Sequence, residues 1–148
     1  MDVLKVMAVA AMPVSELRGA IPLAMYCGMS PVQAYVISVI GNLLPVPILL
    51  LTLEKIREFA RRWDLTSRVL DFFERRVLKN RELVEKYGYP GLAMFVAIPL
   101  PVTGAWTGTL LATLLELKPL KAFAFIALGV MIAGLVVLAS VVGVLSVF

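Results

Sequence analysis

Two long apolar segments dominate the pattern of hydrophobic and polar positions in this chain. Residues 120–148 carry no charged side chain beyond Lys121. Residues 32–53 contain few polar side chains, namely Gln33, Tyr35, Ser38, Asn42 and Thr52. About 20 apolar helical residues cross a hydrocarbon core about 30 Å thick. The pattern therefore predicts two transmembrane helices, at residues 31–53 and 119–147.

Two further apolar segments are interrupted near their middle. Residues 2–28 are broken near Glu16 and Arg18, and residues 90–117 are broken by a run of proline, threonine and glycine. The entry arm at residues 2–14 is too short to cross a membrane. Non-helical backbone at membrane depth is tolerated only where protein or a wet cavity covers it. The pattern favours two re-entrant helical hairpins, while four full crossings stay open as the alternative.

The two halves of the chain look like copies of each other. A shift of 88 positions superimposes Gly41 on Gly129, and each half reads as a hairpin followed by an apolar helix. The first repeat covers residues 1–53 and the second covers residues 88–148. If the hairpins enter from opposite faces, the halves form an inverted repeat. In transporters of this design the binding site lies near the membrane midplane.

A charged segment at residues 54–87 joins the two repeats. It holds ten of the fourteen basic residues and seven of the ten acidic residues, with apolar side chains at spacings of three and four. This pattern predicts an amphipathic helix on the membrane surface rather than a binding site. Basic residues are enriched in cytoplasmic loops. We therefore expect a cytoplasmic linker in a multi-pass protein of the cell membrane, with external termini and a cytoplasmic Lys118.

Composition restricts the class of function. With 61% hydrophobic residues and a mean hydropathy of +0.95, the chain is predicted to be an all-α integral membrane protein. It has one cysteine, Cys27, and no histidine, so it can form neither an internal disulfide nor a Cys/His metal site. Nucleophilic catalysis also lacks a histidine base. We expect no enzyme activity, no cofactor and no binding of nucleic acid.

The charged pair in the first hairpin is the strongest candidate for function, because an ionisable group at membrane depth costs at least about 2.5 kcal/mol. Glu16 and Arg18 diverge on one helix, so each is expected to find a partner elsewhere or to face water. In the second hairpin, hydroxyls and exposed backbone amides could line a pocket. The predicted substrate- and ion-binding residues are Glu16, Arg18, Gly19, Pro22, Asn42, Pro99, Pro101, Thr103, Gly104, Trp106, Thr107 and Gly108.

Purely structural roles compete for several of these positions. Glu16 and Arg18 could form a mutual ion pair. Gly104 and Gly108 have the small-xxx-small spacing of ordinary helix packing. Trp106 is either a lid or an interface anchor. The remaining polar group at mid-membrane, Asn42, either caps hairpin backbone or touches substrate.

Three motifs resemble the small multidrug export protein family. They are Ser-Glu-Leu-Arg-Gly-Ala-Ile-Pro at residues 15–22, Gly-Asn-x-x-Pro-x-Pro at 41–47 and Pro-Leu-Pro-x-Thr-Gly-Ala-Trp-Thr-Gly at 99–108, and the likeness covers nearly the whole chain. The resemblance implies a distant member of the DedA superfamily, whose members share paired re-entrant hairpins, each followed by a transmembrane helix. It also implies transport of lipids, including undecaprenyl phosphate and phospholipids, and proton-dependent drug tolerance.

By this resemblance Glu16 looks like the hairpin acid that DedA proteins need, and Ile98-Pro99 looks like the start of their second signature. DedA proteins place arginines around that proline, and this chain has none there. The resemblance therefore does not extend to the usual phosphate clamp, although Arg18 could supply part of its charge.

Three functions are compatible with these features. The first is a transporter or scramblase for a lipid or amphiphile of the polyprenyl phosphate or phospholipid class, with Glu16 as a protonatable coupling group and Arg18 on an anionic headgroup. The second is a proton-coupled exporter of cationic drugs that bind at Glu16. The third is a membrane scaffold without transport. Membrane lipids are the expected partners, and proton coupling and a homodimer stay open.

Overall fold

The computed structural model describes residues 2–12, 16–98 and 104–147, apart from the side chain of Glu16. This described part is helical and contains no strand. Its nine helices are α1 (Asp2–Ala11), α2 (Glu16–Tyr26), α3 (Pro31–Leu43), α4 (Pro45–Ala60), α5 (Asp64–Leu78), α6 (Arg81–Tyr87), α7 (Tyr89–Ala97), α8 (Ala105–Leu114) and α9 (Pro119–Val147).

Two helical rods among the described residues are long and apolar enough to span a membrane. Helices α3 and α4 form one rod, Pro31–Ala60, and α9 forms the other. The most apolar 18-residue stretches of the two rods have mean hydropathies of 2.2 and 2.8. Only 33% and 28% of these stretches, respectively, is buried inside the protein. Lipid is the environment that suits the remaining apolar surface. The two rods are candidate membrane spans by length and composition, at the places where the sequence predicts spanning helices.

Local sequence signals explain where the first rod begins and bends. The sequence Ser30-Pro31 predicts an N-cap followed by a first-turn proline. The Ser30 side chain accepts a hydrogen bond from the Gln33 amide, and the Gln33 side chain accepts one from the Ser30 amide, so this cap is confirmed and forms a capping box. The rod breaks at Leu44 because Pro45 lacks the N–H that would continue the helical ladder.

The short arms of the two predicted hairpins are separate helices. Helix α1 ends at Ala11 and α2 begins at Glu16, while α7 ends at Ala97 and α8 begins at Ala105. Within the described residues, α1 packs against α2 and α3, and α7 packs against α8 and α9. The predicted N-cap at Ser15 and the interruption at residues 99–103 lie outside the described residues.

Glycines at corresponding positions let each entry arm approach its long helix. A Cβ at Gly41 would lie 2.8 Å from the Met7 Cα, and a Cβ at Gly129 would lie 2.7 Å from the Ala93 carbonyl oxygen. The exit arms reach across to the other half, because α2 also packs against α9 and α8 packs against α4. The two halves therefore use matching contacts and interlock.

The charged linker is divided rather than one continuous helix. Residues 54–60 complete α4, and α5 and α6 follow after breaks at Trp63 and Asn80. Helix α5 packs against α4 and α8, and α6 packs against α7. The buried side chain of Glu74 on α5 accepts hydrogen bonds from Arg57 and Arg61 on and after α4. The turn between α4 and α5 brings these charges together.

Candidate functional site

A small cavity lies where the two halves of the protein meet. Its volume is about 20 Å³, which is room for about one water molecule. Helices α2, α3 and α9 and the facing ends of α7 and α8 form its walls. The described lining residues are Leu17, Arg18, Asn42, Val96, Ile98, Gly104, Ala105, Val130, Ala133 and Val137.

Residues at matching positions of the two halves line this cavity together. Leu17 and Ala105 both line it and are 88 positions apart, as are Asn42 and Val130. The described ends of the two interrupted segments, among them Arg18, Ile98 and Gly104, line one cavity.

Of the described side chains that line the cavity, one is charged, namely Arg18. It is half-buried in the first turn of α2, which begins at Glu16. The side chain of Glu16 lies outside the described residues. Gly19 and Pro22 follow on α2 but do not border the cavity in its described part, and Pro22 is exposed on the outer face of the helix.

Asn42 brings a second polar group to the same cavity from α3. The residue is 1% exposed, and no described group donates a hydrogen bond to its Oδ1 atom. Ser38 lies one helical turn earlier on the same face, is 0% exposed, and its Oγ atom likewise has no partner in the described part of the chain. Buried polar atoms are nearly always hydrogen-bonded, so this pair requires an explanation.

The start of α8 forms the opposite wall of the site. Gly104 has φ 150° and ψ −172°, a conformation that only glycine adopts readily. Its carbonyl oxygen accepts hydrogen bonds from the Gly108 amide at 2.7 Å and the Thr107 hydroxyl at 3.2 Å. A Cβ at Gly108 would collide with Val96. Thr107 and Gly108 thus serve the helix start and its packing here.

Trp106 connects the second half to the first. Its Nε1 atom donates a 2.9 Å hydrogen bond to the carbonyl oxygen of Ala11, the last residue of α1. The side chain is half-buried and ties the start of α8 to the end of α1. The contact joins two helices and tests neither the lid nor the interface anchor predicted for Trp106. Pro99, Pro101 and Thr103 lie outside the described residues.

The shortest described ion pairs join the linker to the end of the first long helix. The Glu74 carboxylate is 2.7 Å from both Arg57 Nε and Arg61 Nη2, and Arg61 also contacts Asp71 at 2.9 Å. The hydrogen bond to Asp71, together with the charge of Glu74, raises the pKa of Arg61 above its ordinary value. These contacts fasten the linker to the first long helix, and none of the four residues lines the cavity.

Most of the wall of the cavity is apolar and was not among the predicted site residues. Val96, Ile98, Val130 and Val137 read as ordinary membrane-helix residues in the sequence. The shift of 88 positions could have identified one of them, because it pairs Val130 with Asn42, which was a predicted site residue. Nothing in the local sequence marks Ser38 as buried.

Comparison with known proteins identifies the family. No curated protein and no solved structure matches the chain. The model of a family described as "Putative small multi-drug export protein" matches residues 16–136, a range that begins at the first residue of α2 and ends within α9. That range contains every described residue that lines the cavity except Val137. Because the match covers most of its length, the chain belongs to this family of small multi-drug export proteins.

Proposed function

We propose that this protein is a membrane exporter of small amphiphilic molecules and that its substrate passes between the two hairpins. The observation that carries the proposal is the cavity of about 20 Å³, whose walls combine matching positions of both halves. Broken helices that meet at the junction of two repeats are a common way to build a transport site. Membership of an export family supports the same conclusion.

Substrate passage requires the two halves to separate. Ligand sites for drug-sized molecules usually span about 300–1,000 Å³. The cavity is far smaller, at about 20 Å³. In this proposal the described conformation is therefore closed. Parting of α2 from α9, with loss of the Trp106–Ala11 hydrogen bond, is the simplest opening movement.

The proposed topology is an inverted repeat in the cell membrane. Residues 2–28 and 90–117 form hairpins that enter from opposite faces, as the resemblance to the DedA superfamily implies. The matching contacts of Gly41 and Gly129 with their entry arms support two repeats of the same design. The termini are external, and the linker at residues 54–87 is cytoplasmic.

The linker is proposed to rest on the cytoplasmic membrane surface. Leu65, Val69 and Phe72 are exposed at helical spacing on α5, by 75%, 50% and 53%. The guanidinium of Arg76 lies 4.8 Å from the centre of the Phe72 ring. A helix with an exposed apolar face beside arginines is suited to the boundary between headgroups and acyl chains.

The charge of the substrate decides between two versions of the proposal. The family description favours a drug exporter, in which Glu16 alternately binds a proton and a cationic drug. The position of Arg18 at the cavity favours an amphiphile or lipid with an anionic headgroup, because guanidinium matches phosphate geometry. Both versions are non-enzymatic and use Glu16 as the proton-coupling group.

Reconstitution in liposomes tests both versions. Ethidium and a fluorescent phosphatidylglycerol are supplied as separate probes, with and without a proton gradient, to the wild type and to the variants Glu16→Gln and Arg18→Ala. The drug exporter predicts ethidium movement that Glu16→Gln abolishes and Arg18→Ala preserves. The anionic version predicts phosphatidylglycerol movement that falls at least tenfold in both variants.

Two outcomes would contradict the proposal. If the wild type moves neither probe above protein-free liposomes, transport of these two classes is excluded. If transport is present and both variants retain it, the cavity is not the route. If the wild type transports neither probe, and cells that carry Glu16→Gln or Arg18→Ala behave like wild-type cells, the scaffold function is supported instead.

A further inference from the structure

The polar face formed by Ser38 and Asn42 on α3 needs a function that packing does not supply. Both residues are at most 1% exposed, and neither Ser38 Oγ nor Asn42 Oδ1 has a hydrogen-bond partner among the described residues. Burying a polar atom without a partner costs free energy, and the cost rises in an apolar interior. Apolar side chains at both positions would avoid this cost.

The second half of the protein provides an internal comparison. Ile126 and Val130 on α9 occupy the positions that match Ser38 and Asn42 after the shift of 88. Both are apolar and at most 1% exposed. The same kind of helix junction is therefore packed with apolar residues in one half and polar residues in the other. Polarity at Ser38 and Asn42 is not a requirement of the packing.

Water is the ligand that this arrangement suits best. Asn42 lines a cavity with room for about one water molecule, and its unpartnered Oδ1 atom needs a hydrogen-bond donor. The described lining side chains from α3, α7, α8 and α9 are uncharged. A water molecule is small enough for this cavity and can donate a hydrogen bond to Asn42 Oδ1.

We propose that Ser38 and Asn42 bind water within the protein and that this hydrated face carries protons to the cavity during export. Asn42 lines the cavity, and Ser38 lies one turn away on the same helix face, with Cβ atoms about 5–6 Å apart. In this proposal a water molecule at Asn42 bridges to the Ser38 hydroxyl. Ser38 lies about 10 Å along α3 from Pro31, on the side of the helix start. The inference rests on the proposed function, because it supplies the proton route for proton-coupled export.

The test measures probe movement and proton movement together. Liposomes containing the pH indicator pyranine are loaded with whichever of ethidium or fluorescent phosphatidylglycerol the wild type moves. The variants are Asn42→Val, which copies the residue at position 130, and Ser38→Ala, the smallest change on this face. Thr109→Val is the matched control, because Thr109 is equally buried but its hydroxyl donates to the Ala105 carbonyl at 2.6 Å.

We expect Asn42→Val and Ser38→Ala to lower probe-driven proton movement at least tenfold while their melting temperatures in detergent stay equal or rise. Thr109→Val should keep proton movement within twofold of the wild type. A merely structural polar face predicts the opposite, namely full proton movement in both variants, and that result would overturn the inference while leaving the proposed function intact. A wild type that moves neither probe nor protons would overturn both. If Asn42→Val does not fold, the Ser38→Ala result decides.

Discussion

At the scale of single residues, small side chains determine how closely the helices approach. Gly129 is buried where α9 crosses α7, and a Cβ there would lie 2.7 Å from both the Ala93 carbonyl oxygen and the Val96 Cβ. These neighbours are backbone and a β-branched carbon, which cannot move aside. A Cβ at Gly143 on the same helix would meet no packing neighbour within 4 Å in the described part of the chain. Close packing therefore requires glycine at position 129 but not at position 143.

We predict that Gly129→Ala destabilises the protein by about 1–3 kcal/mol, because overpacking forces the two helices apart. Gly143→Ala should be neutral or stabilise the helix by up to about 1 kcal/mol, since alanine has the higher helix propensity. Melting temperatures of both variants in detergent check this prediction. Equal melting temperatures for the two variants would contradict the close approach of α7 and α9.

At the scale of helices, a buried carboxylate fastens the linker to the first membrane helix. Glu74 on α5 is 8% exposed and contacts Arg57 and Arg61 at 2.7 Å each. Glu54 also contacts Arg57, at 3.0 Å, so the arginine is shared between α4 and α5. Removing one member of a buried charge network leaves the others without compensation. This network holds the last turns of α4, which continue to Ala60 beyond the predicted membrane span, against α5.

We predict that Glu74→Gln lowers the melting temperature by several degrees and makes the α4–α5 turn more susceptible to proteolysis. The matched control is Glu85→Gln on α6, because Glu85 is 61% exposed and lies 3.8 Å from Arg81. Exposed ion pairs contribute little to stability. Limited proteolysis and thermal unfolding in detergent measure both effects. A loss in the control as large as that in Glu74→Gln would show that the buried network has no special role.

At the scale of the whole molecule, topology decides whether the cavity lies at the membrane midplane. In the hairpin arrangement, Tyr26 at the end of α2 faces the outside and Lys118 before α9 faces the cytoplasm. In the four-crossing arrangement, both positions are external. Tyr26 is 90% exposed and Lys118 is exposed, so both are suited to chemical labelling.

We predict that a cysteine at position 26 reacts with an impermeant maleimide in intact cells and that one at position 118 reacts only after permeabilisation. Both are introduced singly after Cys27→Ser. Lys79→Cys in the linker is the control, because both topologies place it in the cytoplasm and it is exposed. Labelling at positions 26 and 118 in intact cells would establish four crossings and remove the midplane site.

The sequence by itself determined the features that depend on neighbouring residues. The length of the apolar segments predicts the two spanning helices, and Ser30 followed by Pro31 predicts the start of the first. The interruptions near Glu16 and before Ala105 predict that each hairpin has two arms. These signals are local, because hydropathy, capping and the lack of a proline N–H act within a few residues.

Only the tertiary structure decided which of these residues meet. Asn42 and Arg18 share a cavity because α2 and α3 pack together, and Val130 reaches it because α9 belongs to the same junction. The burial of Ser38 and the Trp106–Ala11 hydrogen bond likewise depend on partners far away in the chain. An apolar membrane helix has the same hydropathy on every face, so its pattern does not tell the lipid side from the protein side. Close helix approach, at glycines such as Gly41 and Gly129, makes that distinction.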